Sequence, residues 1–394
     1  MILGEITMKN RIEQLDSIRG IAAFCVLVSH AISLIPLSVM IDKVLKATGI
    51  TNAHGAVMLF FVLSGFVLSI PFFTKNKVEY PSFLVKRLFR IYVPYLFSIT
   101  LAIILSQLFI TKNIGNISGY IDSQWKSHLT GKLIIEHIYL IGNIHADAFN
   151  GVIWTLIHEL RIALVFPFIV LLIKRVNWKI SILICFALTS MKALDIVFNI
   201  EKSNGFHISY IDTLSYLSIF IMGILLAKHR LELVSFFQKL NLKYKIMFFL
   251  FSILLFNFSG LAMYVLYEVT KLHVFTEFSL ITQEYGMGLG AIGLFIIAIG
   301  STRVEKILIY KPIHFVGKIS FSLYLYHPLV LLSFVHLFYN VFPLWVVFIL
   351  TIVFSIAIAY IAWRFVEVPS MRLGRRLANR ENSFQSNQLL TKNQ

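Results

Sequence analysis

Arg19 and His30 stand eleven residues apart in a stretch that is otherwise mainly apolar. Eleven residues is close to three turns of α-helix, about 16 Å along the axis, so the two side chains share a face. A guanidinium holds anions, and an imidazole near neutral pH can take a proton from a hydroxyl. The plainer reading of His30 is a polar contact between helices. Lys86-Arg87-Leu88-Phe89-Arg90 carries a second cationic pair. Arg87 and Arg90 lie on one helix face, where their forks suit phosphate oxygens at a cytoplasmic mouth. Taken alone, that motif reads more plainly as a basic anchor at the end of a membrane span.

Two further stretches place ionisable groups among apolar ones. Trp154-Thr155-Leu156-Ile157-His158-Glu159-Leu160-Arg161 puts Glu159 one turn after Thr155 on the same face. Glu159 is a candidate for proton transfer, and a structural ion pair with an arginine elsewhere competes with that role. His158-Glu159 does not begin a zinc helix, because Ile162 stands where the second histidine is needed. In Ile319-Ser320-Phe321-Ser322-Leu323-Tyr324-Leu325-Tyr326-His327-Pro328, the side chains of Ser320, Tyr324 and His327 form one polar stripe, and Pro328 can kink the helix beside the histidine. His30 and His327 reach comparable depths, but no carboxylate or thiolate cluster supports a metal site, and none is expected. Gly288, Gly290 and Gly293 spell a dinucleotide fingerprint. No strand precedes them, so with Gly286 they read as a small-residue helix-packing face.

The elements that must position these residues are membrane spans. Of 394 residues, 58% are hydrophobic and only 14% charged, against about 25% charged in a soluble domain. Apolar runs of helical spanning length recur along the chain. Ten spans are expected, beginning near Ile18, His54, Leu88, Val152, Trp178, Tyr210, Tyr244, Ile281, Val316 and Pro343, in an all-α polytopic fold. The first apolar run is read as a retained span and not a cleaved signal. The net charge of +16 does not imply nucleic acid, because the basic residues sit in short connections between spans. Cys25 and Cys185 lie inside apolar runs, so no disulfide framework is expected.

With the N-terminus cytoplasmic, the inside segments hold about 21 Lys and Arg and the outside loops about 7, which places both termini inside. The longest outside loop, about residues 111–151, contains an apolar piece from Leu133 to Ile141 too short to span, hence an interfacial helix or a re-entrant one. Residues 1–370 read as one membrane domain and 371–394 as a basic, polar cytoplasmic tail, its last part mobile.

In order along the chain, the motifs resemble the acyltransferase-3 family of bacterial membrane acyltransferases. The matching text is Gln14-Leu15-Asp16-Ser17-Ile18-Arg19-Gly20 with His30, then Phe60-Phe61-Val62-Leu63-Ser64-Gly65-Phe66 and Arg87-Leu88-Phe89-Arg90. Trp154-Thr155-Leu156 with Glu159 and Pro167 follows, then Ile319-Ser320 through Tyr324, His327 and Pro328, and Trp363 through Glu367 with Pro369. Each piece is weak alone; the ordered set is specific. Three positions depart from the family pattern. Met58 replaces a frequent polar or acidic residue, and Ile162-Ala163 replaces a frequent aromatic pair.

The resemblance implies ten core helices in the bacterial inner membrane. It implies transfer of an acyl group, usually acetyl, from cytoplasmic acyl-CoA to a sugar hydroxyl of an envelope glycan or a lipid-linked sugar. No cofactor is expected to be permanently bound, and the partners beyond the substrates are membrane lipids. Arg19, Arg87 and Arg90 would hold the donor, and His30 would be the general base. Glu159, Tyr324 and His327 complete the catalytic candidates, with Tyr324, His327 and Ser64 as possible oxyanion donors. The competing expectation is a transporter or flippase for an envelope precursor, which also places ionisable groups at mid-membrane.

Overall fold

The computed structural model describes residues 12–38, 41, 44–45, 48–74, 78–110 and 117–391, with side chains to 379. Among these the regular structure is helical, without strands. Among the described residues, nine helices are long and apolar enough to cross a membrane, or ten if one bent pair is a single span. The chain divides into two compact units, Met1–Ile70, Leu172–Lys202 and Tyr210–Ser320 in one, Pro71–Leu171, Ser203–Ser209 and Phe321–Gln394 in the other.

The first unit is built from α1 (Glu13–Ile32), most of α2 (Ala53–Thr74), α7 (Trp178–Phe198), α8 (Tyr210–Lys228), α9 (Arg230–Lys239), α10 (Leu242–Phe258) and α13 (Ser279–Gly300). Glycines set its closest helix crossings. A Cβ on Gly65 would fall 2.1 Å from the Phe220 carbonyl oxygen, and one on Gly223 would fall 2.1 Å from that of Val62, so α2 and α8 meet backbone to backbone. Gly20 on α1 meets Gly317 in the same way. Gly286, Gly290 and Gly293 face Ser259, Ser252 and Phe256 of the α10 segment, while Gly288 faces Met222. The glycine fingerprint is therefore a packing face, as its apolar setting suggested.

The seventh span departs from expectation. α10 and α11 (Leu261–Thr270) pass the length and hydropathy test only together and are bent by 58°. The break falls at Ser259-Gly260, two weak helix formers. Ser259 Oγ also donates to the Gln283 carbonyl at 3.0 Å. Apolar composition carries straight through this point, which is why the run reads as one helix from sequence.

The second unit holds α3 (Tyr80–Phe109), α4 (Gly119–Ser123), α5 (Gly131–Tyr139), most of α6 (Trp154–Arg175), the larger part of α15 (Lys311–Phe338), α16 (Leu344–Ala362) and α17 (Val368–Thr391). α3 starts eight residues before the expected Leu88, with Pro81 in its first turn, so the basic motif lies inside the helix. Ser370 Oγ donates to the Phe89 carbonyl, and Gly374 abuts the Phe89 ring, which seats α17 along α3. α17 continues to Thr391.

The long loop turns back along α3. Gln107 bonds Ser127 and Leu129, the Tyr95 hydroxyl donates to the His137 carbonyl at 2.8 Å, and that of Tyr92 donates to the Ile138 carbonyl. Residues 127–138 thus retrace about 22 Å of α3. Ile135, Ile138 and Tyr139 are exposed on the outer side of this segment.

Candidate functional site

α1 begins at Glu13, so Asp16 and Arg19 are both helical, and Arg19 Nη1 pairs with Asp16 Oδ1 at 2.9 Å one turn earlier. Arg19 and His30 are both half-buried. Ser29 Oγ donates to the Thr51 carbonyl at 3.0 Å, which ties the His30 turn of α1 to the segment leading into α2. A different face of α1, with Ile18, Ile21, Ala22 and Cys25, lines a cavity of about 990 Å³. Lys245 and Arg303 border that cavity along with Asn52 and Asn257. Arg19 and His30 are not among its lining residues.

In the second unit the basic motif meets the fourth span. Tyr80 Oη donates to the Leu164 carbonyl at 2.9 Å, which sets the register of α3 on α6. Two turns further along α3, Arg87 Nη1 lies 3.9 Å from Glu159 Oε1. Arg87 is therefore partnered within the helix pair, two turns in from the start of α3. Arg90 is half-buried one turn on.

His158, Glu159 and Arg161, the three ionisable residues in the first half of α6, do different work. Arg161 donates to the carbonyls of Ile141, Gly142, Ile208 and Ser209 at 2.7–3.0 Å, clamping two loops. His158 Nε2 is 2.6 Å from the His207 carbonyl, and Trp154 packs edge-on against His158 and Phe206. Glu159 turns toward Arg87 of α3. Three ionisable residues in one stretch therefore need not mean three catalytic groups; two of them hold loop carbonyls.

Ser320, Tyr324 and His327 are all buried, as the stripe predicts. The Tyr324 hydroxyl accepts from Thr155 Oγ1 at 3.1 Å and donates to the Val152 carbonyl at 3.2 Å, fastening α15 to the start of α6. Glu159 is within electrostatic reach of Tyr324. His327 Nδ1 lies 3.1 Å from the Leu323 carbonyl. A carbonyl can only accept, so Nδ1 carries the proton and Nε2 presents a lone pair in the neutral ring. Pro328 removes one backbone donor from α15. The neighbouring Leu325 carbonyl takes hydrogen bonds from Asn150 Nδ2 at 3.0 Å and Ser98 Oγ at 3.3 Å, both side chains fully buried.

Sequence reasoning missed Asn150 and Ser98, because their role depends on the Leu325 carbonyl, 175 and 227 residues away in sequence. It also missed Tyr120 and Asp147. Both lie in the loop, and Asp147 and Tyr324 are within electrostatic reach of Tyr120. Burial pushes the Tyr120 hydroxyl above its ordinary value, and the charges of Tyr324 and Asp147 add to this. Burial likewise raises the Asp147 carboxyl, partly offset by the Phe206 N–H at 2.9 Å and by His145.

Arg87, Arg90, Glu159, Tyr324 and His327 thus belong to the second unit, and Arg19 and His30 to the first. The family profile described as an acyltransferase domain matches residues 12–364, which include every one of these positions. No curated protein and no solved structure matches the chain. The profile spans nearly the whole chain, and the helices are those of a multi-pass membrane protein. The chain belongs to the acyltransferase-3 family and is a membrane acyltransferase.

Proposed function

We propose that the protein moves an acyl group, in the simplest case acetyl, from cytoplasmic acyl-CoA to a sugar hydroxyl of an envelope glycan or lipid-linked sugar. His30 takes the hydroxyl proton as the oxygen attacks the thioester carbon, and the thiolate leaves. The observation that carries this reading is the pairing of Arg19 and His30, half-buried and three turns apart on α1, in a chain of this family. A cation toward one end and a base toward the other match a donor whose phosphates and thioester are separated by a long arm. Arg87 and Arg90 supply further positive charge for the donor, with the Glu159 contact tempering that of Arg87. Tyr324 already spends its proton on the Val152 carbonyl, so it acts as an oxyanion donor only by releasing that bond.

The bent pair α10–α11 is the feature a transporter would share, since broken helices line transport sites. Coenzyme A binding separates the two readings, because a transporter of glycan precursors has no use for it. The direct test is analysis of envelope glycans from cells with and without the gene. Loss of ester-linked acyl groups is expected; an unchanged ester content with altered surface delivery of the glycan would favour transport.

A further inference from the structure

The first unit holds a cavity that the proposed acyl transfer does not use. Its volume of about 990 Å³ is large for a ligand site, and every residue lining it belongs to that unit. Its walls are one face of α1, the first turns of α2, the length of α10 and the last turns of α13, with α14 (Thr302–Leu308) beside them. Small side chains leave the space open, Ala22 on α1, Ala56 on α2 and Ala298 on α13. The opposite wall is bulky and apolar, with Ile246, Phe249, Ile253 and Phe256 along α10.

Polar groups mark its two ends. At one, Asn52 Nδ2 donates to Asn257 Oδ1 at 3.2 Å and to the Phe256 carbonyl at 3.0 Å, so these amides are engaged with the protein. At the other stand Lys245, Ser301, Thr302 and Arg303. Lys245 Nζ donates to the Gln238 carbonyl at 3.0 Å, which holds the ammonium at the rim and uses one of its three donors. Arg303 is exposed. Among the described residues no Asp or Glu lines the cavity, so this end is positively charged without an acid in its wall. From Lys245 to Asn257 the wall of α10 runs about 18 Å. One leaflet contributes about half of a ~30 Å hydrocarbon core, so this length suits a single lipid chain.

We propose that the cavity binds one anionic phospholipid of the membrane, its phosphate at the Lys245 and Arg303 end and an acyl chain lying along α10 toward Asn257. Charge and shape both favour this occupant. A guanidinium and an ammonium suit phosphate oxygens, and the apolar walls suit a chain. A headgroup carrying its own ammonium would want an acid in the wall. Coenzyme A, with several phosphates and a polar arm, would leave most of the apolar lining unmatched. The asymmetry of Lys and Arg predicts that the basic end faces the cytoplasmic leaflet, where anionic lipid meets basic pockets between helices. The lipid would pack on the face of α1 that carries Ile18, Ile21, Ala22 and Cys25, apart from Arg19 and His30. The inference goes beyond the acyl transfer and does not rest on His30 as the base.

The test is lipid binding by the full-length protein in detergent, with native mass spectrometry counting bound lipid and thermal unfolding following its titration. Phosphatidylglycerol, phosphatidylethanolamine and inorganic phosphate are the probes. One phosphatidylglycerol is expected to bind and to raise the unfolding temperature. Phosphatidylethanolamine should bind more weakly, and inorganic phosphate should have no comparable effect. A cation near the membrane surface is worth about fivefold in affinity, so Lys245→Gln with Arg303→Gln should lose roughly 25-fold for phosphatidylglycerol and less for phosphatidylethanolamine. Ile253→Trp, which narrows the apolar wall, should weaken both lipids. Arg303→Gln alone changes an exposed side chain and carries the test if the other variants do not assemble. Unchanged phosphatidylglycerol affinity in Arg303→Gln or in the assembled double variant overturns the inference. Unchanged binding by assembled Ile253→Trp would leave the chain outside the cavity and overturn it as well. Stabilisation by inorganic phosphate equal to that by phosphatidylglycerol would make this a free-anion site and overturn the lipid assignment.

Discussion

The contact of Arg87 with Glu159 decides how mutants of this proposed donor-binding residue should be read. At 3.9 Å the pair is loose enough for the guanidinium to turn toward an anionic donor. Arg87→Ala should weaken donor binding and also strand a carboxylate between helices. Arg90→Ala should weaken binding alone. The double variant is expected to lose at least about tenfold in coenzyme A affinity, of the order of one charge-assisted contact. Adding Glu159→Gln should restore assembly but not affinity. Unchanged affinity in the assembled double variant would return both residues to anchoring roles. Among the site residues, the types and helical faces were legible in sequence: Arg19 with His30, Arg87 with Arg90, and the Ser320, Tyr324, His327 stripe. The partners were not. That Glu159 meets Arg87, and that Arg161 serves four carbonyls, depends on the register of helices and on loop paths that periodicity does not encode.

Elements pack here through glycine as much as through apolar bulk. The Ser64-Gly65-Phe66 motif and Gly223 mark one crossing, where α2 and α8 touch through backbone. Backbone cannot swing aside as a side chain can. Gly65→Ala or Gly223→Ala should therefore destabilise the protein by about 1–3 kcal/mol or more. Gly131→Ala, with open space around its Cβ, should not. Thermal unfolding in detergent distinguishes the three. The loop makes a second prediction. Burial raises the Asp147 carboxyl above its ordinary value, so its contribution is present in acid and is lost as pH rises through the folded-state value. Asp147→Asn keeps an acceptor for the Phe206 N–H and removes the charge. It should unfold at higher temperature than the wild type at neutral pH, with the difference vanishing in acid. A less stable variant at neutral pH would contradict this. Span positions were readable from runs of apolar residues. The break at Ser259-Gly260 and the eight extra residues of α3 were not, since hydropathy is blind to a bend and to helix that continues past the apolar run.

At the scale of the whole molecule, the asymmetry of Lys and Arg predicts that both termini lie on the cytoplasmic side. Reporter fusions at Gln394 and between residues 112 and 130 should report cytoplasm and exterior respectively. An exterior C-terminus would mean that α10–α11 does not complete a crossing, or that the orientation is reversed. The family was legible because its motifs recur in order over nearly the whole chain, and the profile match over residues 12–364 agrees. The division into two units was not legible, because α2, α6 and α15 each contribute to both and no linker marks the boundary. The central claim is that His30 is the base of an acyl transfer from coenzyme A. It is tested most directly by His30→Gln, which keeps hydrogen bonding but loses the titratable site. With expression and coenzyme A affinity at wild-type level, acyl transfer in membranes should fall by at least ~10²-fold. Near-normal transfer by the well-expressed variant would contradict the account.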